Sequence, residues 1–187
     1  MVLPIVAYGD EVLRRVADNI SPDNPLLSNL IDNMFETMDA SKGVGLAAPQ
    51  IGHSVRLFVV DSNKMYEDDD HQKKEGIRDV FINARLLAEE GDYWDYEEGC
   101  LSIPGIRENV SRRSSVTLEY YDRHFQKHVK TFRGYTARVI QHEYDHLEGI
   151  LFIDHISPFR KRLLKRKLEE IAAGKAKVEY KMRFPRR

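Results

Sequence analysis

The chain has 187 residues, 42% hydrophobic and 32% charged, which suits one compact domain with a real core. No stretch nears the roughly 18 apolar residues of a membrane span. The start, Met1 to Asp10, lacks the basic region of a signal peptide, and a single cysteine, Cys100, excludes an intrachain disulfide, so a cytoplasmic protein is expected. The net charge of -1 hides an asymmetry: residues 157–187 carry 12 Lys and Arg against 3 Asp and Glu, leaving 17 against 27 before them. Such a segment reads equally as a solvated helix with a frayed tail or as a basic appendage for an anionic partner, nucleic acid included.

In chain order, Leu26, Leu27, Leu30, Ile31, Met34, Phe35 and Met38 recur at helical spacing after Asn24-Pro25, and Ser41-Lys42-Gly43 should end that helix. Residues 55–60 have the make-up of a buried strand. Residues 61–79 are rich in charge and read as an exposed loop. Segments 80–83, 92–98, 115–122 and 127–132 are further strands, the last two joined as a hairpin through residues 123–126. Residues 135–148 turn helical, with Gly149 placed as a C-terminal cap. Residues 150–153 read as one more short strand. Pro158 then opens a last helix, with Leu164, Leu168 and Ile171 on one side and basic residues on the other. With no repeat and no linker, the expected architecture is one α+β domain over 1–187, its residues from about 157 onward forming a basic helix and tail.

The strongest chemical signal is Gln141-His142-Glu143-Tyr144-Asp145-His146. Two histidines four apart project from one helix face and can share a metal ion. Glu143 beside them can exchange protons with a water on that ion without being a ligand. The bland alternative has both histidines merely packing or capping the helix. Catalytic sites of this kind use three protein ligands plus water. A metzincin-like extension fails, because Gly149 matches but Phe152 stands where the third histidine belongs. Glu169 and Glu170 lie among lysines and arginines, and His155 falls past the expected helix end. Cys100 remains, in the segment from Glu97 to Gly105, where Gly99 and Pro104-Gly105 bend the backbone and can present a thiolate. Cys100 is also readable as a small buried hydrophobe, or as the nucleophile of a Cys-His enzyme, which would leave the second histidine and Glu143 without a role. In a third segment, from Gly43 to Gly52, small residues permit close approach of backbone to ligand and Gln50 offers an amide donor. It lacks the Walker lysine of a phosphate loop, and a plain helix-to-strand connection would also explain it.

Together the three segments resemble the peptide deformylase family, which carries G-x-G-x-A-A-x-Q, E-G-C-L-S and Q-H-E-x-D-H in that order; here they occupy 43–50, 98–102 and 141–146. The resemblance runs from Leu3 through Phe152. It departs at Gly9 and Glu11, where many members have prolines, and in the long charged stretch 61–79. It implies antiparallel or mixed β-sheets packed around a central helix carrying the His-Glu-x-x-His motif, with a further C-terminal helix. It implies a hydrolase that removes the formyl group from the N-terminal methionine of nascent polypeptides. Cys100, His142 and His146 would hold one divalent ion, iron(II) by preference, with zinc, nickel or cobalt able to replace it. Glu143 would be general base and acid, and the Gln50 amide and Leu101 backbone N–H would meet the oxyanion. Val44, Gly45 and Val139, beside His142, are candidates for the wall of the methionine pocket. The basic C-terminal helix resembles the form of the family in which that helix docks on the ribosome near the exit tunnel, and a monomer is expected. Two other readings stay open on sequence alone. One is a small metallopeptidase indifferent to formylation. The other is a ribosome- or RNA-binding protein with a structural metal, which needs a fourth protein ligand that the sequence does not offer.

Overall fold

In the computed structural model, which describes residues 1–66 and 75–185, the main sheet orders β2 (Gly45–Ala47), β3 (Leu57–Asp61), β4 (Arg78–Cys100), β5 (Ile103–Tyr121) and β6 (Lys127–Arg133). Every neighbouring pair in it is antiparallel. A separate parallel pair joins β1 (Ile5–Val6) to β7 (Met182–Arg183). Helices α1 (Leu27–Ala40), α2 (Gly134–Leu147) and α3 (Pro158–Ala172) complete an α+β fold.

The wholly buried run Leu57-Phe58-Val59-Val60-Asp61 follows from β3 lying between two helices. Its side chains alternate. Leu57 and Val59 pack with Ile31, Met34 and Met38 of α1, while Phe58 and Val60 pack with Ala137 and Ile140 of α2. Helix α3 is capped by Ser157, whose side chain accepts the Arg160 N–H, with Pro158 following in the first turn. The expected apolar stripe Leu164, Leu168 and Ile171 packs on Val6, Leu13, Ile106 and Phe152.

The strand segments expected at 80–83 and 92–98 are parts of one 23-residue strand, and residues 103–114, not read as strand, open β5. In the outer half of this ribbon β5 alternates, with Ile106, Glu108, Val110 and Arg112 buried, but two of those positions are charged and hide the apolar alternation of a half-buried strand. There β4 is largely exposed on both faces and has little core to pack on. Its backbone pairing, interrupted by bulges, holds it instead.

The loop expected over 61–79 is shorter at both ends. Asp61 closes β3, Asn63–Tyr66 form a 3₁₀ turn with Tyr66 buried, and β4 starts at Arg78; the rest of that expectation, 67–74, lies outside the described residues. The strand expected at 150–153 is a 3₁₀ turn, Phe152–Asp154, since a short buried apolar run does not by itself distinguish the two. The tail is not frayed where β7 pairs: Ile5 and Ala7 donate to the carbonyls of Lys181 and Arg183, each at 2.9 Å.

Asp154 ties three segments together. It accepts from Arg14, from Lys161 at 2.9 Å and from the Leu151 N–H at 2.9 Å. Burial alone would raise its pKa, but these partners hold it down at about 2, against 3.8 unperturbed. A carboxylate depressed on folding contributes stability that is complete above the unfolded value and lost as pH falls through the folded one. Asp154→Asn is therefore expected to destabilise at pH 7 by roughly 1 kcal/mol. The gap to wild type should close between about pH 4 and pH 2, which urea unfolding across that range would measure.

Candidate active site

Both ends of α2 are anchored before its middle can present a site. At the N-terminus the Thr136 N–H, one of the orphan donors of a first helical turn, donates to the Tyr66 hydroxyl at 3.1 Å. At the other end Gly149 adopts φ +70°, with Gly149 N–H bonded to the His146 carbonyl and Ile150 N–H to that of Asp145. This is the left-handed termination expected of a glycine there. A Cβ on Gly149 would also stand 2.6 Å from the Arg14 carbonyl oxygen.

Between these anchors His142 and His146 meet Cys100, which ends β4 just before the turn Leu101-Ser102. One ligand atom from each of the three lies within 4.8 Å of the others, and His146 Nε2 is 3.4 Å from the Cys100 Sγ. A sulfur and a nitrogen sharing a tetrahedral ion at ordinary bond lengths stand about 3.6 Å apart, so the donor set fits a divalent cation. His142 Nδ1 is 2.9 Å from Glu98 Oε2, which leaves its other nitrogen for the cluster. Burial pushes His146 well below the usual imidazole range, favouring the neutral form that ligates.

Glu98 is the hub behind the ligands. Besides His142 it accepts from Arg112 at 2.7 and 3.0 Å and from Arg138 at 2.7 Å. Burial would raise its pKa, but the hydrogen bonds from His142 and Arg112 prevail and hold it ionised well below the usual carboxylate range. Arg112 also reaches Asp145, and Arg138 bonds the carbonyls of Val110 and Trp94. Such a paired buried network fixes orientation more surely than it adds stability. Arg138 was legible in principle, one turn before His142 on the same helix face; Arg112 sits on a strand that left no periodic signal.

Glu143 is buried beside the cluster, and among the described residues its Oε2 has no hydrogen-bond partner. Burial pushes it up to about 7, near the optimum for a base working at neutral pH. Gln50, in the 3₁₀ turn Ala48–Ile51, accepts the Ala47 N–H at 2.8 Å, which turns its amide nitrogen toward Cys100 Sγ and Ser102 Oγ, each at 3.4 Å. A cleft of about 840 Å³ opens here. Val44, Gly45, Val139, Leu101 and His142 all line it, and Ile103 and Ile106 add apolar wall. His155, weighed above as a ligand, is instead 2.7 Å from Asp145 Oδ2. Glu169 and Glu170 pair along α3 with Lys165 and Arg166.

Comparison with known proteins agrees with this geometry. Residues 2–162 match the family model for polypeptide deformylase. The chain is 51% identical to a peptide deformylase of Christiangramia forsetii, covering 99% of this chain and 97% of that one. It is 50% identical to one of Flavobacterium psychrophilum, covering 98% and 97%. Among solved structures it is similar to a peptide deformylase from Legionella pneumophila, with TM-score 0.80, 36% identity and coverage of 95% and 99%. One from Arabidopsis thaliana, bound to an inhibitor, gives TM-score 0.81 at 33% identity, covering 92% and 91%.

Proposed function

The chain belongs to the polypeptide deformylase family, and from that premise we propose how it removes the formyl group from the N-terminal methionine of nascent polypeptides and releases formate. The observation that carries the reading is the convergence of Cys100, His142 and His146 beside buried Glu143, with Cys100, His142 and Glu143 lining the cleft. These three side chains would hold a divalent cation, which would supply Lewis-acid activation of the attacking water near neutral pH. Iron(II) is the proposed native ion, with zinc, nickel or cobalt as substitutes, since a thiolate and two imidazoles suit all of them.

Glu143 takes the proton of the attacking water and later delivers it to the departing amine nitrogen. The Gln50 amide and the Leu101 backbone N–H donate to the oxygen on which charge develops; one such donor is worth about 10² to 10³ in rate. Val44, Gly45 and Val139 seat the methionine, and formyl, whose carbon bears only hydrogen, is the smallest acyl group the site has to admit. The whole chain, 1–187, acts as a single domain, monomeric and cytoplasmic. Among the described residues no helix is long and apolar enough to cross a membrane.

The test is formate release by Co(II)-loaded protein from formyl-Met-Ala-Ser, beside acetyl-Met-Ala-Ser and Met-Ala-Ser. Release from the formylated peptide alone supports the reading. Cleavage of the Met-Ala bond in the unformylated peptide would replace it with a metallopeptidase.

The basic segment has its own proposed role, docking on the ribosome near the exit tunnel. The excess of 12 basic over 3 acidic residues supports it, as do Phe159 and Leu163, exposed one turn apart on α3. Reversing Arg162 and Arg166 to Glu is expected to abolish co-sedimentation with ribosomes at low salt while formate release is unchanged; unimpaired pelleting would sink the idea.

A further inference from the structure

The turn that carries Cys100 is held by segments from opposite ends of the fold. The Tyr8 N–H donates to the Ser102 carbonyl at 2.8 Å, and the Tyr180 hydroxyl donates to the Leu101 carbonyl at 2.7 Å. Tyr8 follows β1 and Tyr180 precedes β7, the two strands that pair in parallel. The terminal sheet therefore fastens both carbonyls of the two-residue turn between Cys100 and Ile103. On its way to β7 the chain also passes the cleft, where Lys177, Val178 and Tyr180 line one side. The Leu101 side chain is confined as well: a Cβ on Gly43 would lie 3.0 Å from its Cδ1. Tyr180 stands beyond residue 162, where the family match ends.

We propose that Tyr180 is a positioning residue for the reaction, fixing the Leu101 carbonyl so that the backbone N–H of the same residue points at the developing oxyanion. Tyr180 holds the peptide that follows Leu101, and the register pair Cys100–Ile103 closes the turn on the peptide before it. Leu101 therefore has little freedom in φ and ψ, and its N–H is held ready before the substrate arrives. The interaction matters most where charge develops, so its loss falls on kcat rather than on KM. This rests on the assignment of the Leu101 N–H as an oxyanion donor.

The variants are Tyr180→Phe, which removes only the hydroxyl, and Tyr180→Leu, which also removes the ring. Both are measured as Co(II)-loaded full-length protein beside wild type. Tyr180→Phe is expected to lower kcat on formyl-Met-Ala-Ser about 5- to 10-fold, on the scale of one weakened donor, with KM and bound cobalt unchanged. Amide hydrogen exchange read on the peptide spanning Gly99 to Ile103 should rise in the same variant, since the turn has lost one of its two anchors. Unchanged kcat with unchanged exchange overturns the proposal. So does a fall in kcat that merely tracks lost cobalt, which would make Tyr180 a prop for the ligand set. If Tyr180→Leu is too unstable to assay, Tyr180→Phe decides alone. If wild type releases no formate, the deformylase reading fails by itself, and the exchange comparison still judges the anchor.

Discussion

Glu143→Gln is expected to keep its metal and its fold and to lose about 10²- to 10⁴-fold in formate release, the range of a general base or acid. The amide fills the volume of the carboxylate at a site that is 4% exposed, so packing is conserved. What disappears is a group whose proton affinity burial has raised to about 7. A carboxyl with an ordinary pKa would be a poorer proton carrier at neutral pH. Glutamine cannot accept the proton of the attacking water at all. Metal analysis and thermal unfolding should match wild type. A variant that keeps wild-type turnover would remove Glu143 from the mechanism.

Gly45→Ala comes next in size. A Cβ at that position would lie 2.4 Å from Glu143 Oε1 and 2.7 Å from its Cγ. Neither contact is tolerable, and with backbone on one side and a long flexible side chain on the other, Glu143 gives way. Displacing a catalytic group by about 1 Å can cost on the order of 10²-fold. The expected result is thus a fall of that size in kcat/KM with near-normal cobalt content and melting temperature, measured beside Glu143→Gln. The double variant should be little worse than Glu143→Gln alone, because both changes strike the same carboxylate. Additive losses would instead place the effect of Gly45 on the peptide substrate.

Gly45 also shows where sequence reasoning stops. Its smallness was legible, and the natural inference was room for a ligand; the structure shows that the nearest neighbour needing the room is Glu143. Helices α1 and α3 were legible because each buries one periodic stripe, whereas α2 buries Thr136 to Gln141 without a break and was marked at its end by Gly149. The long ribbon β4–β5 was read only in pieces, since the outer part of β4 buries neither face and the buried face of β5 carries Glu108 and Arg112 among its apolar residues. His142 and His146 announce themselves by spacing on one helix. Cys100 joins them only through tertiary contact, and it was reached through its setting and the family resemblance. Arg112 and Tyr180 had no local signal, because what gives them a role is a partner 14 positions away for one and 79 for the other. Tyr66 was hidden for the same reason, in a stretch whose charge masked a buried residue that caps α2.

The pairing of β1 with β7 carries a consequence for the order of events during synthesis. Ile5 is made early and waits for Met182, its register partner. Contacts between segments so far apart in sequence close late in folding, after local helices and hairpins have formed. A nascent copy of this chain can therefore collect its three metal-binding side chains while the anchor on the Leu101 carbonyl is still missing. The enzyme that trims newborn chains is, on this geometry, finished only after its own β7 has been made.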